Sequence, residues 1–258
     1  MTYALQLQDV SLAFGGVFAL SGVSIDFPRA KIVGVIGPNG AGKTSLLNVA
    51  SGVSSPDRGD VILDGAPIGG LKTHQIARLG LRRTFQSSQL FPGMTVMENM
   101  MVGIHLSAKS SVLACALRTP GMRRDEAEMR ERAMDALRFV GFDSFADRPG
   151  NALSFGQQRI VEIARALICD PKIVLLDEPA VGLSVNRVAE LDTLLRKIRD
   201  DRGVTIVMIE HVIRLVMGVS DQIVVMNSGK KIAEGPAEEI RVNPEVVTAY
   251  LGAQGGVH

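Results

Sequence analysis

Apolar and polar positions alternate near the start of the chain, at Leu5 and Leu7 and again at Val23, Ile25 and Phe27. A period of two puts successive side chains on opposite faces, so these stretches are expected to form half-buried strands of an antiparallel sheet. The pattern then changes. KIVGVIG (31–37) is a short apolar run ending in glycine, as in a strand buried on both faces of a parallel sheet. TSLLNVASG (44–52) reads as a helix closed by Gly52, and GDVILDG (59–65) as another strand. Strand signals vanish from about Met94 to Asp147, where Met129, Ala133, Leu137 and Val140 recur at helical spacing with charge on the other faces. A helix (155–169), a strand (172–176), a helix (185–200) and a strand (204–209) follow in turn. That alternation predicts an α/β parallel sheet. VVMNSGKKIAEG (224–235) reads as a hairpin turning at Asn227, Ser228 and Gly229, and PEVVTAYLG as a closing helix. The chain shows no internal repeat and no low-complexity linker, so one α/β domain is expected, with a helical subdomain inserted at approximately 87–164.

Composition narrows the class. With 258 residues, 46% hydrophobic and 21% charged, the chain suits a soluble globular protein with a substantial core. No apolar run approaches the ~18 residues of a membrane span, and MTYALQLQDV lacks the basic and apolar regions of a secretory signal. A formal charge of +1 gives no reason to expect nucleic acid as a partner. Cys115 and Cys169 fit no paired pattern and are expected to be thiols packed as small hydrophobes in a reducing, cytosolic compartment.

Chemistry enters with GPNGAGKT (37–44), which fits G-x-x-x-x-G-K-[ST] between an apolar strand and a helix. Gly37, Gly40 and Gly42 let backbone N–H groups approach phosphate oxygens at the positive end of a helix dipole. Lys43 would neutralise the β- and γ-phosphates and the Thr44 hydroxyl could ligate Mg²⁺, while Pro38, Asn39, Ala41 and Ser45 complete the cradle. A nucleoside triphosphate is therefore the expected ligand. A second apolar strand, in KIVLLDEP (172–179), ends in Asp177 and Glu178. Such a pair could divide the work, Asp177 holding Mg²⁺ directly or through water and Glu178 polarising the attacking water as general base. Alone, the same residues would pass for an ordinary polar turn.

These motifs and the LSFGQ at 153–157, about twenty residues before Asp177, resemble the ATP-binding subunits of ABC transporters over essentially the whole chain. The resemblance implies a P-loop NTPase core with a parallel sheet, an N-terminal antiparallel β subdomain and an inserted helical subdomain. It implies ATP and Mg²⁺ as ligands. It also matches Phe14 to the aromatic that stacks on adenine, and Gln86 to the glutamine that touches Mg²⁺ and water and senses the membrane partner. His211 matches the histidine that reaches the γ-phosphate. Ser154 and Gln157 form a capping-box pattern at a helix start. In the family that signature covers the γ-phosphate held by the other subunit of a dimer, with Ser154 and Gly156 at the positions that touch phosphate.

Phe155 stands where the family usually has glycine. Successive residues in the first turn of a helix point about 100° apart, so Phe155 can face away from ATP while its neighbours face it. Packing within its own subdomain and contact across a dimer are both open; if mostly buried, its removal would cost ~3 kcal/mol or more. An aromatic here, with RTFQSSQLFPGMTVMENMMVG, GQQRIVEIARAL and VVTAYLG, resembles the first of two ATPases of branched-chain amino-acid importers.

That branch implies an ATPase at the cytoplasmic face of the membrane, bound to transmembrane permease subunits and to a second ATPase, identical or related. A substrate-binding protein would act indirectly. Other cargo (urea, aromatic acids, lipid export) stays open, and so, less favoured, does a non-transport ABC ATPase. Ser184 replaces the usual Asp of the loop that crosses the dimer. Seven of the eleven Met residues lie between 94 and 134, either filling gaps in a helical core or forming an adaptable docking surface.

Overall fold

A computed structural model describes residues 3–84, 90–104 and 120–254. By their contacts the residues divide into two compact units, one made of Met1–Arg83 with Lys172–His258 and the other of Thr84–Pro171.

The first unit carries two sheets. Strands β1 (Tyr3–Phe14) and β2 (Val17–Pro28) pair antiparallel, as their alternation predicts, and β4 (Arg58–Leu63) and β5 (Ala66–Pro67) extend them in the order β2-β1-β4-β5. The second sheet runs β10-β9-β3-β8-β7-β6, formed by β3 (Ile32–Ile36), β6 (Leu81–Arg83), β7 (Ile173–Asp177), β8 (Thr205–Ile209), β9 (Gln222–Asn227) and β10 (Lys230–Gly235). Within it β9, β3, β8, β7 and β6 are parallel neighbours, and only β10 pairs antiparallel. Every residue of β3, β7 and β8 is buried, which explains why these strands read as unbroken apolar runs.

Helix α1 (Lys43–Ala50) follows β3 and buries Leu46, Leu47 and Val49. Its chain leaves through Gly52 at φ 71°, where a Cβ would meet the Ile76 side chain at 2.4 Å, so the glycine stop has a steric cause. The short α2 (Thr73–Arg78) precedes β6. Helices α6 (Val185–Arg202) and α7 (Ile213–Val219) follow β7 and β8, and α8 (Ala237–Val242) and α9 (Pro244–Gln254) close the chain. Leu5, Phe27, Leu46, Leu47, Leu175 and Val207 belong to one buried cluster that joins both sheets to α1.

The second unit is helical: α3 (Val96–Ile104), α4 (Pro120–Phe139) and α5 (Phe155–Leu167). Ala133 and Leu137 of α4 are fully buried and Met129 partly so, as their spacing predicts. Met97 and Met100 are buried in the same core, with Met101 and Met134 packed against it, so these methionines fill gaps. Cys169 is partly buried beside them, its thiol 3.5 Å from the Gly103 carbonyl, and Cys115 lies outside the described residues. The fully buried Asn99 side chain accepts from Phe91 N at 2.7 Å and donates to the Thr95 carbonyl at 3.0 Å, pinning the chain ahead of α3. No described helix is long and apolar enough to cross a membrane.

Candidate functional site

Four neighbouring parallel strands deliver chemistry at their carboxyl ends: β3 leads to Gly37, β8 to Glu210 and His211, β7 to Asp177 and Glu178, and β6 ends at Arg83. Open parallel sheets place ligands at that edge.

The loop 37–44 is shaped by glycines that cannot be replaced. Gly37 has φ 151° and a Cβ there would lie 2.1 Å from the Met226 carbonyl; Gly42 has φ 96° and its Cβ would lie 2.4 Å from the Ala19 carbonyl. The loop is braced by Gly229 N, which donates to the Ala41 carbonyl at 3.1 Å, so the β9–β10 hairpin turn supports it. No side chain caps the N-terminus of α1, and its free amides are the donors a phosphate group would take. Lys43 is buried, its Nζ donating to the Gly37 and Pro38 carbonyls at 2.7 and 2.9 Å. Burial pushes its ammonium below the ordinary lysine value, with the charges of Glu178 and Asp177 pulling the other way. Thr44 is exposed and Ser45 half-buried, and Phe14 stands exposed on the β1–β2 hairpin directly across from the exposed Val17.

Asp177 and Glu178 are held differently although adjacent. Asp177 is buried in an ion pair with Arg83 at 2.9 Å, and the same guanidinium donates to Asn48 Oδ1 at 2.7 Å and Ser51 Oγ at 3.1 Å on α1. Glu178 sits at φ 49°, in the left-handed region, and its Oε1 is 2.9 Å from Nε2 of His211. Phosphate loop, carboxylate pair and histidine thus come together in one unit. Gln86 lies outside the described residues.

In the second unit, Ser154 caps α5 as its spacing predicts. Its Oγ accepts from Gln157 N at 3.4 Å, and Gln157 Oε1 accepts from Ser154 N at 2.9 Å. Ser154 and Phe155 are exposed, while Gly156 and Gln157 are partly covered. Phe155 is 43% exposed, its ring 5.9 Å from the guanidinium carbon of the buried Arg159. The stability cost expected for a mostly buried ring therefore does not apply. Ser184 is the N-cap residue of α6 but makes no side-chain capping bond.

Three contributors escaped sequence reasoning. Arg83 pairs with a residue 94 positions away, and Glu210 bonds to a backbone amide 30 positions away. Tyr250 of α9 has its phenol raised by burial, partly opposed by a hydrogen bond from the Gly37 backbone. Helix α9 also lines a cleft of about 680 Å³ with Pro38 and Asn39. None of the three carries a local motif.

A family model described as ABC transporter matches residues 20–181. The chain belongs to the ABC transporter family, among its ATP-binding proteins. A second model, described as branched-chain amino acid ATP-binding cassette transporter, matches residues 230–255. The high-affinity branched-chain amino acid transport ATP-binding protein BraF of Pseudomonas aeruginosa is 44% identical over 96% of this chain and 97% of its own length. LivG of Escherichia coli K12, a protein of the same description, is 42% identical over the same shares. A crystal structure of the ADP conformation of an ATP-binding cassette of an ABC transporter superposes with a TM-score of 0.85 at 31% identity, covering 98% of this chain and all of that one. A cassette solved as a dimer bound to ADP and Pi gives 0.75 at 26% identity over 90% and 98%. The fold is that of an ABC ATPase, and the chain is an ATP-binding, ATP-hydrolysing protein of that family.

Proposed function

We propose that this chain hydrolyses ATP to drive import of branched-chain or other hydrophobic amino acids through separate transmembrane subunits. The observation that carries the catalytic half is the Glu178–His211 pair, 2.9 Å apart at adjacent strand ends. Lys43 and the amides at the start of α1 would bind the β- and γ-phosphates, and Phe14 would stack on adenine. Glu178 would take a proton from the attacking water, while His211 orients its carboxylate and reaches the γ-phosphate. Mg²⁺ fits the donors present. Mg²⁺ usually takes one or two protein oxygens beside substrate phosphates, and Thr44 of α1 and Asp177 of β7 offer a hydroxyl and a carboxylate. Thr44 Oγ1 and Asp177 would be those ligands, and the ion would neutralise phosphate charge. Arg83 already engages Asp177 Oδ2.

The cargo reading is supported by the 230–255 match and by the names of the relatives. The dimeric neighbour supports a second ATPase, identical or related, whose Ser154 and Gly156 positions would close over this site. Association with permease subunits would hold the chain at the cytoplasmic face of the membrane, and Gln86 would be the residue that senses the permease. The test is Glu178→Gln. It should bind Mg·ATP normally, lose hydrolysis by about 100-fold or more as expected for a lost general base, and accumulate an ATP-bound dimer in size-exclusion chromatography with its partner present. A variant that stays monomeric there, or hydrolyses at the native rate, overturns the shared-site reading.

A further inference from the structure

Glu210 is 1% exposed, yet its carboxylate takes part in none of the roles above. Burying a carboxylate is costly unless donors replace its water. Here backbone amides do so. Oε1 accepts from Ala180 N at 2.5 Å, and Oε2 accepts from His211 N at 2.9 Å and Val212 N at 3.1 Å. One side chain thereby ties the segment following Glu178 to the segment carrying His211.

The neighbouring bonds close the figure. Glu178 N donates to the Ile209 carbonyl at 2.9 Å, Pro179 has no N–H, and Ala180 N goes to Glu210. Every backbone donor from 178 to 180 is thus directed at residues 209–210. Glu178 holds φ 49°, a conformation that costs a non-glycine residue energy and persists only where its surroundings fix it. The Glu178 carboxylate then meets the His211 ring, whose own backbone is fixed by the other oxygen of Glu210.

We propose that Glu210 is a positioning residue that locks the Glu178 turn and the His211 loop into one rigid body, so that general base and histidine keep their register during turnover. The proposal rests on the catalytic reading of that pair. A carboxylate is required because all three contacts are donors. In Glu210→Gln, one oxygen becomes an NH₂ that can only face another N–H, so either the Ala180 side or the His211 side must open.

The expected result for Glu210→Gln is a fall in kcat of about tenfold or more, the loss of one charge-assisted hydrogen bond, with KM for ATP within about twofold because the phosphate loop is untouched. In a His211→Ala background the same substitution should change the residual rate by less than about twofold, since residues acting as a unit are not additive. Amide exchange followed by NMR should speed up at Ala180 or at His211 and Val212, while α1 amides keep their protection. Should Glu210→Gln not fold, Glu210→Asp, with the charge on a shorter arm, is measured the same way and should show the same split. Native kcat, a fully additive effect in His211→Ala, or unchanged exchange at all three amides overturns the proposal. Glu178→Gln and His211→Ala alone report on the underlying reading. Undiminished hydrolysis in either removes that reading, whereas loss in both beside a native Glu210→Gln removes only the role of Glu210.

Discussion

Two helices in this protein begin at residues directed by sequence at phosphate, and they begin in opposite ways. Helix α1 starts at Gly42 in a left-handed conformation with no side chain on its first amides. Helix α5 starts at Ser154 with a reciprocal box, Ser154 and Gln157 each bonding the other's backbone. The first helix leaves its donors to a ligand and buries a cation beside them. The second satisfies its own donors, through a hydroxyl bond of 3.4 Å that is long for an O···H–N contact. A site formed by one chain can afford open donors because the loop and the β9–β10 hairpin fix their position. On the proposed function the start of α5 closes over a partner's site, and its cap keeps those donors occupied until that partner arrives.

The largest expected break in this comparison is Lys43→Met. The ammonium is buried and its charge disfavoured by that burial, so removing it costs the fold little. On the proposed function it also removes the charge that would hold the phosphates. ATP affinity should fall about tenfold to 100-fold, the range for a hydrogen bond to a charged group, while the melting temperature stays level or rises by up to about 4 °C. Titration calorimetry and thermal melts on one preparation decide it. A large drop in melting temperature would mean that the bonds to the Gly37 and Pro38 carbonyls outweigh the burial cost.

Ser154→Ala carries the reverse pattern. Its cap bond is weak, so the stability cost should lie near the low end for such substitutions, about 0.5–1 kcal/mol. Affinity of the isolated chain for ATP should be unchanged. Turnover of the assembled ATPase should fall about tenfold or more, because on the proposed shared site a hydroxyl donor to developing phosphate charge is gone. Equal losses in stability and turnover, with no difference between isolated and assembled protein, would place Ser154 in folding alone.

The same contrast shows what the sequence could carry. The phosphate loop was legible because positive φ and backbone crowding at Gly37 and Gly42 admit only glycine, which fixes letters at fixed spacing. The buried strands were legible because β3, β7 and β8 have both faces covered. The cap of α5 was legible because it is a bond between residues three apart. Arg83 and Glu210 were not, since Arg83 meets Asp177, and Glu210 meets Ala180 N in addition to its local bonds to His211 N and Val212 N, only when β6, β7 and β8 become neighbours in the sheet. An arginine and a glutamate at strand ends look like surface charges until that pairing exists. Phe155 failed differently. Its spacing alone does not say whether the first turn of α5 faces a core, and the ring is 43% exposed.

That exposure sets the smallest expected effect, Phe155→Ala. Full burial of a Phe side chain contributes about 1.5–3 kcal/mol, so a ring this open contributes about half, and alanine returns a few tenths through its helix propensity, about 0.5 kcal/mol. The net cost is about 0.3–1 kcal/mol, or roughly 1–4 °C in a domain of this size. Some of it comes from the weak contact with Arg159, whose guanidinium is otherwise held by Glu162 at 2.9 Å. Hydrolysis should stay within about twofold of native, because residues one position apart in a first turn point about 100° from each other and Ser154 keeps its place. Thermal melts and steady-state ATPase rates, measured beside Ser154→Ala, separate packing from chemistry in adjacent residues. If hydrolysis by Phe155→Ala collapses in the assembled ATPase while its melting temperature is native, the ring faces the nucleotide or the partner subunit, and the two helix starts differ by an aromatic contact as well as by a cap.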